Sequence, residues 1–128
     1  PNKRPFQTII PGFLMGPDKP LMSFGVMGGP MQAQGHLQMV LRTQLWRQDV
    51  QMAVDAPRWR ITEGLGVACE TTLPKFICDA LKSMGHELSF EEPDVAFGFG
   101  GAQLIHRLPD GGYAGGSDPR KDGMAIGY

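Results

Sequence analysis

Ser23-Phe24-Gly25-Val26-Met27-Gly28-Gly29-Pro30-Met31 is the stretch from which the fold is read. It carries an apolar, strand-like run, Leu21 to Gly29, into a segment over 31–47 where Ala33, Leu37, Val40, Leu41 and Leu45 recur at helical spacing. That spacing predicts a helix with those residues on its core face. Its polar stripe, Gln32, Gln34, Gln38, Arg42 and Gln44, should meet water or another segment of the chain. A helix start leaves its first N–H groups unpaired and partly positive, so the Gly28-Gly29 junction suits an anion or a developing oxyanion. Glycine lets such a guest approach the backbone closely. Gly-Gly pairs are also ordinary turns, so the reading depends on what flanks this one.

Downstream, Asp49 is placed to cap a short helical turn carrying Met52, Ala53 and Val54, and Pro57 forces the chain out of it. Arg58 to Thr62 and Val67 to Thr71 read as short strands joined through Glu63-Gly64-Leu65-Gly66. A second helix, about Leu73 to Met84, has Pro74 in its first turn, an apolar face of Phe76, Ile77, Ala80, Leu81 and Met84, and Gly85 at the left-handed position that closes it. His86 to Glu91 reads as a strand, Gly98-Phe99-Gly100-Gly101 as a loop, and Ala102 to Arg107 as another strand. Pro109-Asp110-Gly111-Gly112 is a turn between Leu104-Ile105-His106 and Tyr113-Ala114-Gly115. Paired antiparallel strands with two main helices make the chain α+β, a single domain over 1–128.

Composition bounds the function. Eighteen Gly and eleven Pro in 128 residues predict many turns, without the period of a collagen or the bias of a disordered chain. A formal net charge of −1, with twelve scattered Lys and Arg, gives no electrostatic footprint for nucleic acid. No apolar run approaches the roughly 18 to 20 residues of a membrane helix, so no membrane partner is expected. The N-terminus lacks the regions of a signal peptide, and the compartment is not legible. Cys69, in a strand, and Cys78, in a helix, read as buried small hydrophobes. His36, His86 and His106 lack ligand spacing, and the Gly-rich loop lacks the Lys-Ser/Thr ending of a nucleotide P-loop, so no cofactor and no metal is implied. Asp55 and Arg58 are spaced for a local ion pair, as are Asp118 and Arg120, and in each case the structural use, holding a turn, is preferred.

Four stretches stand in one order: Pro1-Asn2-Lys3-Arg4-Pro5-Phe6-Gln7-Thr8-Ile9-Ile10-Pro11, the Gly28-Gly29 turn, Ala53-Val54-Asp55-Ala56-Pro57-Arg58-Trp59, and Gly115-Gly116-Ser117-Asp118-Pro119-Arg120-Lys121-Asp122-Gly123. Together they resemble the C-terminal part of the γ-glutamyltranspeptidase family of N-terminal-nucleophile hydrolases. The resemblance runs from Pro1 to about Gly127. It implies part of a four-layer αββα sandwich and a chemistry in which an N-terminal threonine attacks a γ-glutamyl or related acyl amide. It makes Gly28 and Gly29 the oxyanion-hole candidates, and Thr8 with Gln7 the candidates for the substrate's α-carboxylate. Typical members have adjacent serines at those two positions. Thr8 keeps a hydroxyl, whereas the longer amide of Gln7 favours an acylase or another γ-glutamyl substrate over glutathione-like recognition, or only satisfies loop backbone.

The family's nucleophile lies upstream of the Lys-Arg-Pro motif, so the chain reads as a C-terminal fragment whose first partner is the missing upstream part of the same protein. Oxyanion donors without a nucleophile give no turnover, so these 128 residues are expected to be inactive alone. Faces that should pack on the missing part are expected to drive self-association. A non-catalytic structural or binding scaffold built on the same fold is the alternative.

Overall fold

The computed structural model describes residues 1–6, 8–95 and 98–127. Alternation organises its larger sheet. Along β2 (Pro20–Met27), Met22 and Val26 are buried with Phe24 beside them, while Ser23 and Met27 are exposed. Period-two alternation of this kind turns one face of a strand to a core. β6 (Gly101–Arg107) repeats it with Ala102 and Leu104 inward and Gln103 and Ile105 outward. With β1 (Gly12–Met15) and β7 (Tyr113–Ser117), these strands form an antiparallel sheet in the order β1-β2-β6-β7.

The inward face is covered by α1 (Met31–Val40) and α2 (Val50–Asp55), and Met22, Val26, Met39, Val50, Val54, Ala102 and Leu104 form its core. Gly35 sets how closely α1 lies on β2: a Cβ there would fall 2.5 Å from Cγ1 of Val26. A second sheet, in the order β3-β4-β5, joins β3 (Trp59–Ile61), β4 (Gly66–Glu70) and β5 (Glu87–Glu91). Here α3 (Lys75–Ser83) bridges β4 to β5, which pair in parallel, as such a crossover allows. Val67, Cys69, Leu73 and Cys78 are the buried centre of this unit, and both cysteines are free. No helix among the described residues is long and apolar enough to cross a membrane.

Several expectations are corrected. β1 was not expected, although Gly16-Pro17-Asp18 is a turn signal, and it pairs with β2 through the turn that the Gly16 N–H closes on the Lys19 carbonyl. The first helix is α only to Val40 and continues as a π-helical turn over Leu41–Leu45, where the N–H of Trp46 reaches back to the carbonyl of Leu41. Its buried face is Met31, Gly35, Gln38, Met39 and Thr43, whereas Leu37 and Leu45 are 53% and 66% exposed and Ala33 is exposed too. Three of the five expected core positions are therefore open, while Val40 and Leu41 are half-buried. Gly35 decides the matter, because only a residue without a side chain admits Val26 so closely, and the face that carries it must meet the sheet.

The local Asp55–Arg58 pair does not form. Asp55 accepts from Nε2 of Gln51, and Arg58 turns inward to Asp118, its Nη2 2.5 Å from Oδ2 with both side chains wholly buried. The expected Asp118–Arg120 contact is present at 3.1 Å, and Arg120 also grips both oxygens of Glu70.

Candidate functional site

β2 ends at Met27 and the chain turns through Gly28 and Gly29, both at positive φ (122° and 57°), into α1. Positive φ is where glycine has no steric penalty, so this turn needs these residues. The carbonyls of Gly28 and Gly29 accept from the N–H groups of Met31 and Gln32, at 3.1 and 3.0 Å, and are thereby drawn into the helix start. A Cβ built at Gly29 meets nothing within 4 Å, so the turn is open on that side.

The turn forms one wall of a cavity of about 720 Å³. Thr8, Ile9, Ile10 and Pro11 form a second wall, and Gln32, Gly101 and Gln103 are also in the lining. Of the four residues singled out from sequence, the structure thus brings Thr8, Gly28 and Gly29 to one cavity, across twenty residues of chain. Gln7 lies outside the described residues. No charged side chain lines this cavity among the described residues, so the polar groups around it are a hydroxyl, amides and backbone, set against Ile9, Ile10 and Met27.

Two supports of the site were not legible beforehand. Gly100, at φ 71°, lies under the turn so closely that a Cβ would stand 2.1 Å from the carbonyl oxygen of Met27. Its presence in a glycine cluster was visible; the neighbour that requires it was not. The second is Gln32, whose Nε2 donates to the Thr8 carbonyl at 2.6 Å and so joins the two walls. The polar stripe of α1 is expected to meet water or another segment of chain, and its spacing does not say which.

A buried ionic group fixes the start of β6. Arg58 donates to Asp118 and to the carbonyls of Phe99 and Val54. Asp118 in turn accepts from the N–H of Ala102 at 2.7 Å and of Arg120 at 2.9 Å. Burial lowers the affinity of Arg58 for its proton, with Asp118 opposing. Burial alone would raise the Asp118 carboxyl, but Arg58, the two N–H donors and Arg120 outweigh it and hold it below the usual carboxylate range. Burial likewise lowers Arg120, and the bonds and charges of Glu70 and Asp118 reverse this and raise it. The group positions the strand and does not touch the cavity.

His36 packs its ring on Phe24, 5.3 Å between centroids, and shares its Nδ1 with the Gln32 carbonyl at 2.5 Å. Among the described residues, no group of three or more His, Cys, Asp or Glu stands close enough to hold a metal ion.

A family model described as gamma-glutamyltranspeptidase matches residues 1–128. The chain is 31% identical over 134 residues to an oxamate amidohydrolase proenzyme of Klebsiella pneumoniae, covering all of this chain and 25% of that protein. It is 30% identical over 128 residues to a glutathione hydrolase proenzyme of Bacillus subtilis, covering 99% of this chain and 21% of that protein. The solved structure of a cephalosporin acylase from Bacillus halodurans superposes with a TM-score of 0.85 at 44% identity, over 96% of this chain and 23% of the other. The chain thus spans about a quarter or less of the length of these three relatives.

Proposed function

This chain belongs to the gamma-glutamyltranspeptidase family, and from that premise we propose that it supplies the oxyanion and acyl-binding walls of an enzyme that hydrolyses or transfers γ-glutamyl or related acyl amides. The nucleophile is an N-terminal threonine in the part of the parent protein upstream of this chain. Its hydroxyl adds to the acyl carbon while its own α-amine takes the proton. The tetrahedral oxyanion collapses to an ester as the leaving amine departs with that proton. Water or an acceptor amine then releases the acyl group.

Gly28 and Gly29 lie where backbone donors meet the developing oxyanion, and losing such a donor typically costs ~3 to 4 kcal/mol in the transition state. Thr8 offers a hydroxyl to the α-carboxylate of the acyl group, and Gln7, next to it in sequence, is the second candidate for that end. The observation that carries the reading is the meeting of Thr8 with Gly28 and Gly29 around one cavity. Relatives named as amidohydrolase, glutathione hydrolase and acylase support acyl-amide chemistry as the common denominator. The chain alone has no turnover on this reading, because nothing in it attacks the acyl carbon.

The test restores the upstream sequence and follows self-cleavage into two chains together with release of a chromogenic amine from a γ-glutamyl anilide. Cleavage with turnover supports the enzyme. Cleavage without turnover directs attention, through Gln7, to another acyl group, and neither activity favours a non-catalytic scaffold. Steady hydrolysis by residues 1–128 alone would overturn the division of labour proposed here.

A further inference from the structure

We infer that Gln32 is a positioning residue for this site, setting the distance between the wall that carries Thr8 and the turn that carries the oxyanion donors. The inference rests on the reading of the cavity as an acyl-amide site. Its basis is that one residue is anchored to both walls. The backbone N–H of Gln32 donates to Gly29, its carbonyl is held by the His36 ring, and its side-chain Nε2 donates 2.6 Å to the Thr8 carbonyl, 24 residues away.

The need for such a tie is plain from the segment it holds. Residues 1–6 and 8–11 contribute no strand or helix and are exposed throughout. In a segment outside any sheet ladder, a side-chain bond to the backbone helps to fix its distance from its neighbours. Gln32 sits in the first turn of α1, whose position is set by the close approach of Gly35 to Val26, so its amide projects from a rigid base. Catalytic and binding geometry tolerates little slack, and a group that holds a recognition residue in register acts on substrate affinity before it acts on chemistry.

The proposal separates from a merely structural role through the substrate. If Gln32 acts by placing Thr8, its loss is felt by the part of the substrate Thr8 meets, the α-carboxylate. In the full-length protein that carries this chain, Gln32→Leu removes the amide at similar size, and Gln32→Glu keeps the shape and helix preference while losing the N–H donor. Each is assayed with a γ-glutamyl anilide and with a 4-aminobutyryl anilide, which has the same amide but no α-carboxylate.

Both variants are expected to raise KM for the γ-glutamyl donor about fivefold, the loss of one modest hydrogen bond, with kcat, self-cleavage and Tm unchanged. KM for the 4-aminobutyryl donor should stay at the wild-type value. An unchanged KM for both donors in variants of an active protein overturns the inference alone. So does an equal rise for both, or a rise that comes only with a fall in Tm. Absence of turnover in the wild-type protein overturns the acyl-amide reading, and this inference with it.

Discussion

Arg58 and Asp118 are both fully buried and share one short ion pair, so neither is replaceable singly. Removing one partner of a buried pair strands the other, a loss of about 3–5 kcal/mol. Arg58→Met should therefore lower the stability of the chain by that order in urea unfolding, and more than any exposed substitution. The same pair predicts a pH dependence. The folded-state pKa of Asp118 lies below its unfolded value, so its contribution is present above the unfolded value of about 3.9 and is lost as pH falls through the folded one. Melting curves should show Tm falling steeply below about pH 4, whereas Asp118→Asn starts lower and follows a flatter profile. At Gly100 the cost is steric: Gly100→Ala meets the Met27 carbonyl at positive φ, which is worth at least ~1–3 kcal/mol. It should shift the turn and depress turnover of the parent protein. In sequence, Arg58 and Asp118 were visible as charges beside prolines. Their partnership was not, because sixty residues separate them and local spacing favours Asp55, which is taken up by Gln51.

On α1, the glutamines do work that a helical pattern cannot reveal. Gln38 donates to the Trp59 carbonyl at 2.8 Å and accepts from its N–H at 3.4 Å, and one turn earlier Gln34 does the same with Ile61, at 3.2 and 2.7 Å. Two amides four residues apart on a helix thus meet alternate residues of β3 and serve its free edge as a neighbouring strand would. This ties the two sheets together and explains why a polar face is turned inward. Gln38→Leu leaves the buried end of that edge unsatisfied and should cost about 1–3 kcal/mol. Leu37→Ala, on the face that sequence assigned to the core, should change the stability of residues 1–128 by less than ~0.5 kcal/mol, since Leu37 is half exposed. The two variants, measured side by side by denaturant unfolding, distinguish the faces. Helix and strand periods were legible because they are local; the facing of α1 was not, because Gly35 and the β3 edge decide it from elsewhere. The strand-turn-helix at Gly28-Gly29, by contrast, needed only its own glycines, and it formed where the sequence placed it.

Among the described residues, one face of the larger sheet is only partly covered, by Thr8–Pro11 near one end and by the tail near the other. Phe13 stands opposite Ser23, Ser23 opposite Ile105 and Ile105 opposite Gly115, a row across all four strands on the side away from α1 and α2. Phe13 and Ile105 are more than half exposed there, and Tyr113 is 70% exposed at the end of β7. The tail only partly shields this side, since Ala125 lies against Gly115 while Met124 and Ile126 remain open. The chain is part of an αββα sandwich, and in sandwiches the inner faces of two sheets interdigitate about 10 Å apart. Apolar area left open in this way associates with whatever apolar area is available. Residues 1–128 on their own should therefore oligomerise at micromolar concentration, and light scattering should report a mass well above 14.0 kDa. Phe13→Lys with Ile105→Lys should return the chain to a monomer, because a charge at the centre of the row cannot be buried without a partner. In the parent protein the same double substitution should instead impair folding if the rest of that protein packs on this face. A wild-type chain that runs as a monomer would mean that the tail or a local rearrangement already covers the sheet, and the expectation of a missing neighbour on this face would fall.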